Sequence, residues 1–146
     1  TLQAEDEIAG IGAAAKKVFD LAEMTRVALL RDRFESGILD KIPNSRLNGT
    51  SDAASRLPNT SNISFENTNG EMILAALDRL GVCVSTGSAC NSESHTASPV
   101  LQAMNVPYSW AMGSIRFSLG RYNTAEEVEF VLENLPPIIR KIRATA

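Results

Sequence analysis

The chain has 146 residues, enough for one domain with a modest core, and its 44% hydrophobic and 21% charged content is that of an ordinary globular protein. It contains no apolar run of about eighteen residues, so a helical membrane span is excluded. A net charge of −3 with no basic stripe argues against nucleic acid as a partner.

The first seven residues, Thr1-Leu2-Gln3-Ala4-Glu5-Asp6-Glu7, are polar and acidic and lack the basic and apolar regions of a secretory signal. A cytoplasmic location is expected. In that reducing compartment Cys83 and Cys90 are not expected to form a structural disulfide. A helical pattern starts almost at Thr1, which suggests a piece of a longer protein.

Ile8, Ile11, Ala15, Val18, Ala22, Thr25 and Leu29 recur at steps of three and four. They predict one face of a long amphipathic helix over about residues 5–35. Within it, Gly10-Ile11-Gly12-Ala13-Ala14-Ala15 matches a dinucleotide fingerprint in letters only. No strand precedes it, so helix packing is the better reading. A polar segment follows, with turn signals at Asn48-Gly49 and Pro58-Asn59. Leu47 ends one short strand, and Asn62-Ile63-Ser64-Phe65 alternates as a second.

Residues 70–80 read as a helix burying Met72, Ile73, Leu77 and Leu80, with Gly81 as its left-handed stop. Val82-Cys83-Val84 reads as a brief strand with Cys83 in the core. Residues 85–98 are small and polar without an apolar period, and predict a long exposed loop. Ser98-Pro99 then opens a short helix, serine as cap and proline in the first turn.

Gly113-Ser114-Ile115-Arg116-Phe117-Ser118-Leu119 alternates. Ile115 and Phe117 share one face, and Arg116 points the other way. The last helix starts at a capping box, Thr124 and Glu127, and buries Val128, Val131, Leu132, Leu135, Ile139 and Ile142. Pro136-Pro137 should kink or interrupt it. Arg140, Lys141 and Arg143 suit the negative end of its dipole. The order is α-β-β-α-β-loop-α-β-α. It predicts a single α/β domain over residues 1–146, two layers deep, with a small mixed or mostly antiparallel sheet.

Cys90 is the sharpest chemical feature. It sits in Ser85-Thr86-Gly87-Ser88-Ala89-Cys90-Asn91-Ser92, where packing gives no reason for a cysteine. A thiol there suits a nucleophile or sulfur carrier, against the plainer reading of an accidental surface cysteine. His95 is the one histidine, five positions on. A proton relay to the thiolate is conceivable there, but a solvated loop histidine is the commoner case. Cys83, Cys90 and His95 fit no common zinc spacing, so no metal site is expected. Arg116 can clamp a carboxylate through two parallel bonds, or be an ordinary surface arginine. The lysines are Lys16, Lys17, Lys41 and Lys141. None follows a Ser-x-His tripeptide, so no Schiff-base lysine is evident.

Taken together these segments resemble the cysteine desulfurases. Leu57-Pro58-Asn59-Thr60-Ser61-Asn62-Ile63-Ser64-Phe65 is similar to the family's LPNTxNxSF segment, and Ser85-Thr86-Gly87-Ser88-Ala89-Cys90 to its SxGSAC loop. Ser98-Pro99-Val100-Leu101-Gln102-Ala103-Met104 and Ile115-Arg116-Phe117-Ser118-Leu119-Gly120-Arg121 match the segments that follow. Met104-Asn105-Val106-Pro107-Tyr108 and Leu135-Pro136-Pro137-Ile138-Ile139 look most like the nitrogen-fixation branch, NifS.

The resemblance implies the small C-terminal domain of a fold-type I pyridoxal-phosphate enzyme that is a homodimer when complete. It implies conversion of L-cysteine to L-alanine, with the sulfur held as a persulfide on Cys90 and passed to an iron–sulfur scaffold protein. Arg116 matches the arginine that holds the substrate carboxylate. The cofactor domain and its lysine are expected upstream of Thr1, and Thr1-Leu2-Gln3 resembles a phosphate-contact segment only loosely. No cofactor-binding residue is therefore expected here, and the fragment by itself should be inactive. A stand-alone sulfur carrier and a selenocysteine lyase-type domain are the alternatives.

Overall fold

Strict alternation decides the centre of the molecule. The structure is a computed structural model and describes residues 21–86 and 98–145. In β2 (Thr60–Phe65) and β4 (Ser114–Ser118), Ile63, Phe65, Ile115 and Phe117 fall on one face and are all buried. The strands pair antiparallel, with Ile63 opposite Ile115 and Ser61 opposite Phe117. One face of this pair is thus apolar and calls for a second layer.

Two shorter strands complete a four-stranded sheet in the order β1-β2-β4-β3, antiparallel throughout. They are β1 (Ser45–Leu47) and β3 (Ser85–Thr86). Three helices supply the second layer: α1 (Leu21–Lys41), α2 (Gly70–Asp78) and α5 (Ala125–Arg143). Phe34, Ile38, Ile73, Leu77, Leu132, Leu135 and Ile139 join the sheet's apolar face in one core. The Phe34 and Phe117 rings meet at 4.7 Å in a tilted arrangement. Two short helices, α3 (Pro99–Ala103) and α4 (Tyr108–Ala111), contribute Leu101 and Ala111 to a separate small cluster with Val106. The expected α/β order is observed, with α4 and a 3-10 turn (Ala53–Ser55) added. The third strand, however, is Ser85–Thr86, the start of the expected exposed loop, and not residues 82–84. Ser98, at that loop's other end, is buried, and residues 87–97 lie outside the described residues.

Helix α1 departs from its sequence pattern. It continues past residue 35 to Lys41, and its buried stripe is Val27, Leu30, Arg31, Phe34, Glu35 and Ile38. Leu29 lies outward, 64% exposed, and Ala22 and Thr25 are exposed too. Two charged residues hold places in the buried stripe because each has partners. Arg31 donates to the Leu57 carbonyl at 2.7 Å and pairs with Asp32. Glu35 accepts from both terminal nitrogens of Arg56, one at 3.0 Å. This bidentate bond raises the Arg56 pKa against the opposing effect of its burial. Residues 5–20 of the expected helix lie outside the described residues.

Other ends follow the sequence more closely. Asn69 caps α2 by accepting from Glu71 and Met72 N–H, and Gly81 stops it at φ +76°. Of the four residues expected to be buried there, Ile73 and Leu77 are, but Met72 and Leu80 are largely exposed. A helix this short buries only a narrow stripe. Ser98 precedes α3 without a side-chain cap bond, so proline in the first turn is the start signal that operates.

Thr124 and Glu127 form the expected capping box of α5. Pro136 and Pro137 do not interrupt that helix, which runs through to Arg143. Pro136 is buried in its packed face, so tertiary contacts offset the lost N–H groups. Arg143 donates to the carbonyls of Pro43, Asn44 and Glu66, which fastens the end of α5 to the start of β1 and the end of β2.

Gly113 precedes β4 where no side chain fits. A Cβ there would stand 2.1 Å from the Phe65 carbonyl oxygen and 2.2 Å from Thr68 Oγ1. Both are tied down, since Thr68 donates to Phe65 O and Phe65 N–H donates to Gly113 O. Gly113→Ala is expected to cost about 2 kcal/mol or more in denaturant unfolding. Glu35→Ala and Arg56→Ala should each cost about 3 kcal/mol, because each strands a mostly buried partner. The double variant should cost less than the sum, as read by a double-mutant cycle.

Candidate functional site

The face of the sheet turned from the helices is polar. On β2 it carries Thr60, Asn62 and Ser64, and on β4 it carries Ser114, Arg116 and Ser118. Register sets Arg116 at its centre, with Asn62 of β2 opposite on one side and Ser85 of β3 opposite on the other. Residues directly opposite on one face have Cβ atoms about 5 Å apart. The three side chains therefore share one small area. Arg116 is exposed and has no hydrogen bond or ion pair among the described residues. Sequence alternation placed it correctly, with Ile115 and Phe117 on the opposite, buried face.

A chain of hydrogen bonds holds the ground beside it. The Asn48 side-chain amide donates to Asn62 Oδ1 and to Ser64 Oγ, both at 2.7 Å. Ser64 and Ser114 hydroxyls meet at 2.5 Å, and Ser114 also donates to the Trp110 carbonyl at 3.3 Å. The Arg46 guanidinium lies 5.2 Å from the centre of the Trp110 ring, within cation–π range. Ser64 and Ser114 are buried although they lie on the polar face, because α4 and these side chains cover them. Sequence reasoning did not single out Asn48, Asn62, Arg46 or Trp110. The turn signal at Asn48-Gly49 and the alternation through Asn62 were legible, but strand register was not.

The remaining expected site residues divide plainly. Cys90 and His95 lie outside the described residues. Cys83 was expected in the core and in a strand. It is exposed and sits just before β3. Val82 and Val84 pack against the core, and alternation turns the residue between them outward. Lys41 and Lys141 are exposed in α1 and α5, in the layer that covers the other face of the sheet. Among the described residues no group of three His, Cys, Asp or Glu could hold a metal ion, and no helix is long and apolar enough to cross a membrane.

Chemically the patch is suited to an anion. Arg116 offers five N–H donors in a planar fork and no acceptor, which matches a carboxylate through two parallel bonds. Its place between two paired strands holds its backbone firmly.

Comparison with known proteins gives this arrangement a family. The aminotransferase class-V family model matches residues 6–131, and the chain belongs to that family. Within it, the chain is 45% identical over 138 residues to the cysteine desulfurase NifS of Azotobacter vinelandii, covering 93% of this chain and 34% of that protein. It is 49% identical over 124 residues to cysteine desulfurase 2 of Trichormus variabilis, covering 85% of this chain and 31% of that one. The solved NifS-like protein of Rickettsia africae superposes with a TM-score of 0.63 at 32% identity, over 80% of this chain and 29% of that chain. The chain thus spans about a third of the length of the curated relatives it matches.

The outward position of Cys83 has a direct check. In a Cys90→Ala background, a maleimide should label Cys83 in the native state, at a rate within about tenfold of the unfolded chain. A core thiol would be labelled only after unfolding.

Proposed function

We propose that this chain is the C-terminal domain of a pyridoxal-phosphate-dependent cysteine desulfurase that converts L-cysteine to L-alanine. The observation that carries the reading is the 45–49% identity to cysteine desulfurases over most of the chain, with an arginine on the polar sheet face that has no hydrogen bond or ion pair among the described residues. Arg116 binds the substrate carboxylate. Cys90 accepts the sulfur: the substrate C–S bond breaks, an S–S bond to Cys90 forms, and the carbon left behind is protonated to give alanine.

The described residues do not fit the cofactor itself. Lys41 and Lys141 belong to the helix layer, across the sheet from Arg116, and Lys16 and Lys17 lie outside the described residues. In this reading pyridoxal phosphate and its lysine belong to an upstream region of a longer protein.

In this reading the small, polar segment around Cys90 carries the persulfide from substrate to acceptor. The longer protein is a cytoplasmic homodimer, and an iron–sulfur scaffold protein takes the sulfur, in the manner of the nitrogen-fixation branch.

The test uses the longer protein with its upstream region. Cys90→Ala should abolish persulfide formation and lower alanine release from L-cysteine at least about a hundredfold, with the cofactor still bound. Arg116→Gln should raise KM for L-cysteine by roughly ten- to a hundredfold, since a charge-assisted pair is lost. Unchanged sulfur release in Cys90→Ala would overturn the assignment of the nucleophile. A gene with no upstream cofactor region would overturn the domain assignment.

A further inference from the structure

We infer that Asn62 is a second binding residue for the carboxylate held by Arg116, and that Asn48 is the positioning residue that turns the Asn62 amide toward it. The inference rests on the reading of Arg116 as the carboxylate-binding residue.

The argument starts from strand order. Strand β2 lies between β1 and β4, so Asn62 has a neighbour on each side. On the β4 side the neighbour is Arg116, directly opposite in register. On the β1 side it is Asn48, which extends the β1 ladder by donating its backbone N–H to the Asn62 carbonyl at 2.8 Å. The Asn48 side chain then donates to Asn62 Oδ1 at 2.7 Å. A planar carboxamide with its oxygen held on one side presents its NH2 group on the other. With its oxygen taken by Asn48, Asn62 is left with its NH2 donors, which have no partner among the described residues, on the residue directly opposite Arg116.

Asn48 is itself firmly placed. Its amide also donates to Ser64 Oγ, and Ser64 is fully buried against Ser114. Its Oδ1 is buried without a hydrogen-bond partner among the described residues. Leaving a buried acceptor unpaired is costly, and the cost is accepted where the opposite end of the amide is committed to a task. Here that task is to hold the Asn62 oxygen.

The outcome is two adjacent groups that only donate, a guanidinium and an amide NH2. Two like donors side by side have no use for each other. They are complementary to one bound anion with two oxygens, a carboxylate. Arg116 supplies the charge, and Asn62 supplies direction from the adjoining strand.

The experiment is steady-state kinetics of the longer protein with L-cysteine, for Arg116→Gln, Asn62→Ala, Asn48→Ala and the double variant Asn48→Ala/Asn62→Ala, with thermal midpoints measured alongside. Asn62→Ala is expected to raise KM about tenfold with kcat changed less than about twofold. Asn48→Ala should raise KM by a smaller factor, and the double variant should be no worse than Asn62→Ala, because Asn48 acts only through Asn62.

A purely structural role would lower the midpoint and leave KM unmoved. An Asn62→Ala KM within twofold of the parent, while Arg116→Gln raises it, overturns this inference and leaves the Arg116 reading standing. No KM effect from Arg116→Gln overturns both. A further KM increase in the double variant over Asn62→Ala overturns the positioning role of Asn48.

Discussion

The pairing of β2 with β4 is the constraint on which everything else depends. It sets two apolar residues of each strand on one face and leaves the polar residues on the other. The apolar face selects the three helices that cover it. The polar face is left with Arg116, Asn62 and the serine pair. A slip of one residue would exchange these faces, driving Arg116 into the core and Ile115 into solvent. The hydrophobic effect thus fixes register, and register fixes which polar groups meet. The core and the candidate site are products of the same alignment.

Charged side chains do much of the fastening around this sheet. Arg56 clamps the loop between β1 and β2 to Glu35 of α1 and also donates to the Thr60 carbonyl at the start of β2. Arg26 of α1 donates to the carbonyls of Arg121 and Asn123, just before α5. Arginine suits such places because its fork satisfies several carbonyls or a carboxylate at once. Asp52 organises the 3-10 turn in the same loop by accepting from Ala54 N–H and the Ser55 hydroxyl, bonds that hold its carboxyl below the usual range. Its contribution is present above the unfolded carboxylate pKa and fades as pH falls through the lowered, folded value.

Much of this was legible in the sequence, and the failures have a common physical cause. The alternation through Ile115, Arg116 and Phe117 needs only the period of a strand, and it held. The Thr124–Glu127 capping box and the Gly81 stop are local chemistry, and they held as well. Helix α1 was misread because its buried face contains Arg31 and Glu35. A pattern that treats charge as outward rotates the stripe onto Leu29 instead. Only distant partners, Arg56 and the Leu57 carbonyl, make those burials tolerable. Cys83 was misread for a related reason. Its small hydrophobic character suggested core, but its two valine neighbours already occupy that side. Asn48 and Asn62 become meaningful only when β1, β2 and β4 are in register, which no local window contains.

The Arg143 clamp bears on how the chain acquires this fold. Its guanidinium reaches the Pro43 and Asn44 carbonyls, residues about a hundred positions earlier. The β2–β4 ladder likewise joins segments some fifty positions apart. During synthesis, α1, β1 and β2 emerge well before the strand that completes their register or the helix that covers their core. Until then the apolar side of β2 has no strand β4 beside it and no α5 above it. A nascent chain at that stage exposes an unpaired strand edge, the state most open to mispairing with another chain. The fold is therefore closed late, by an arginine made about a hundred residues after the carbonyls it holds.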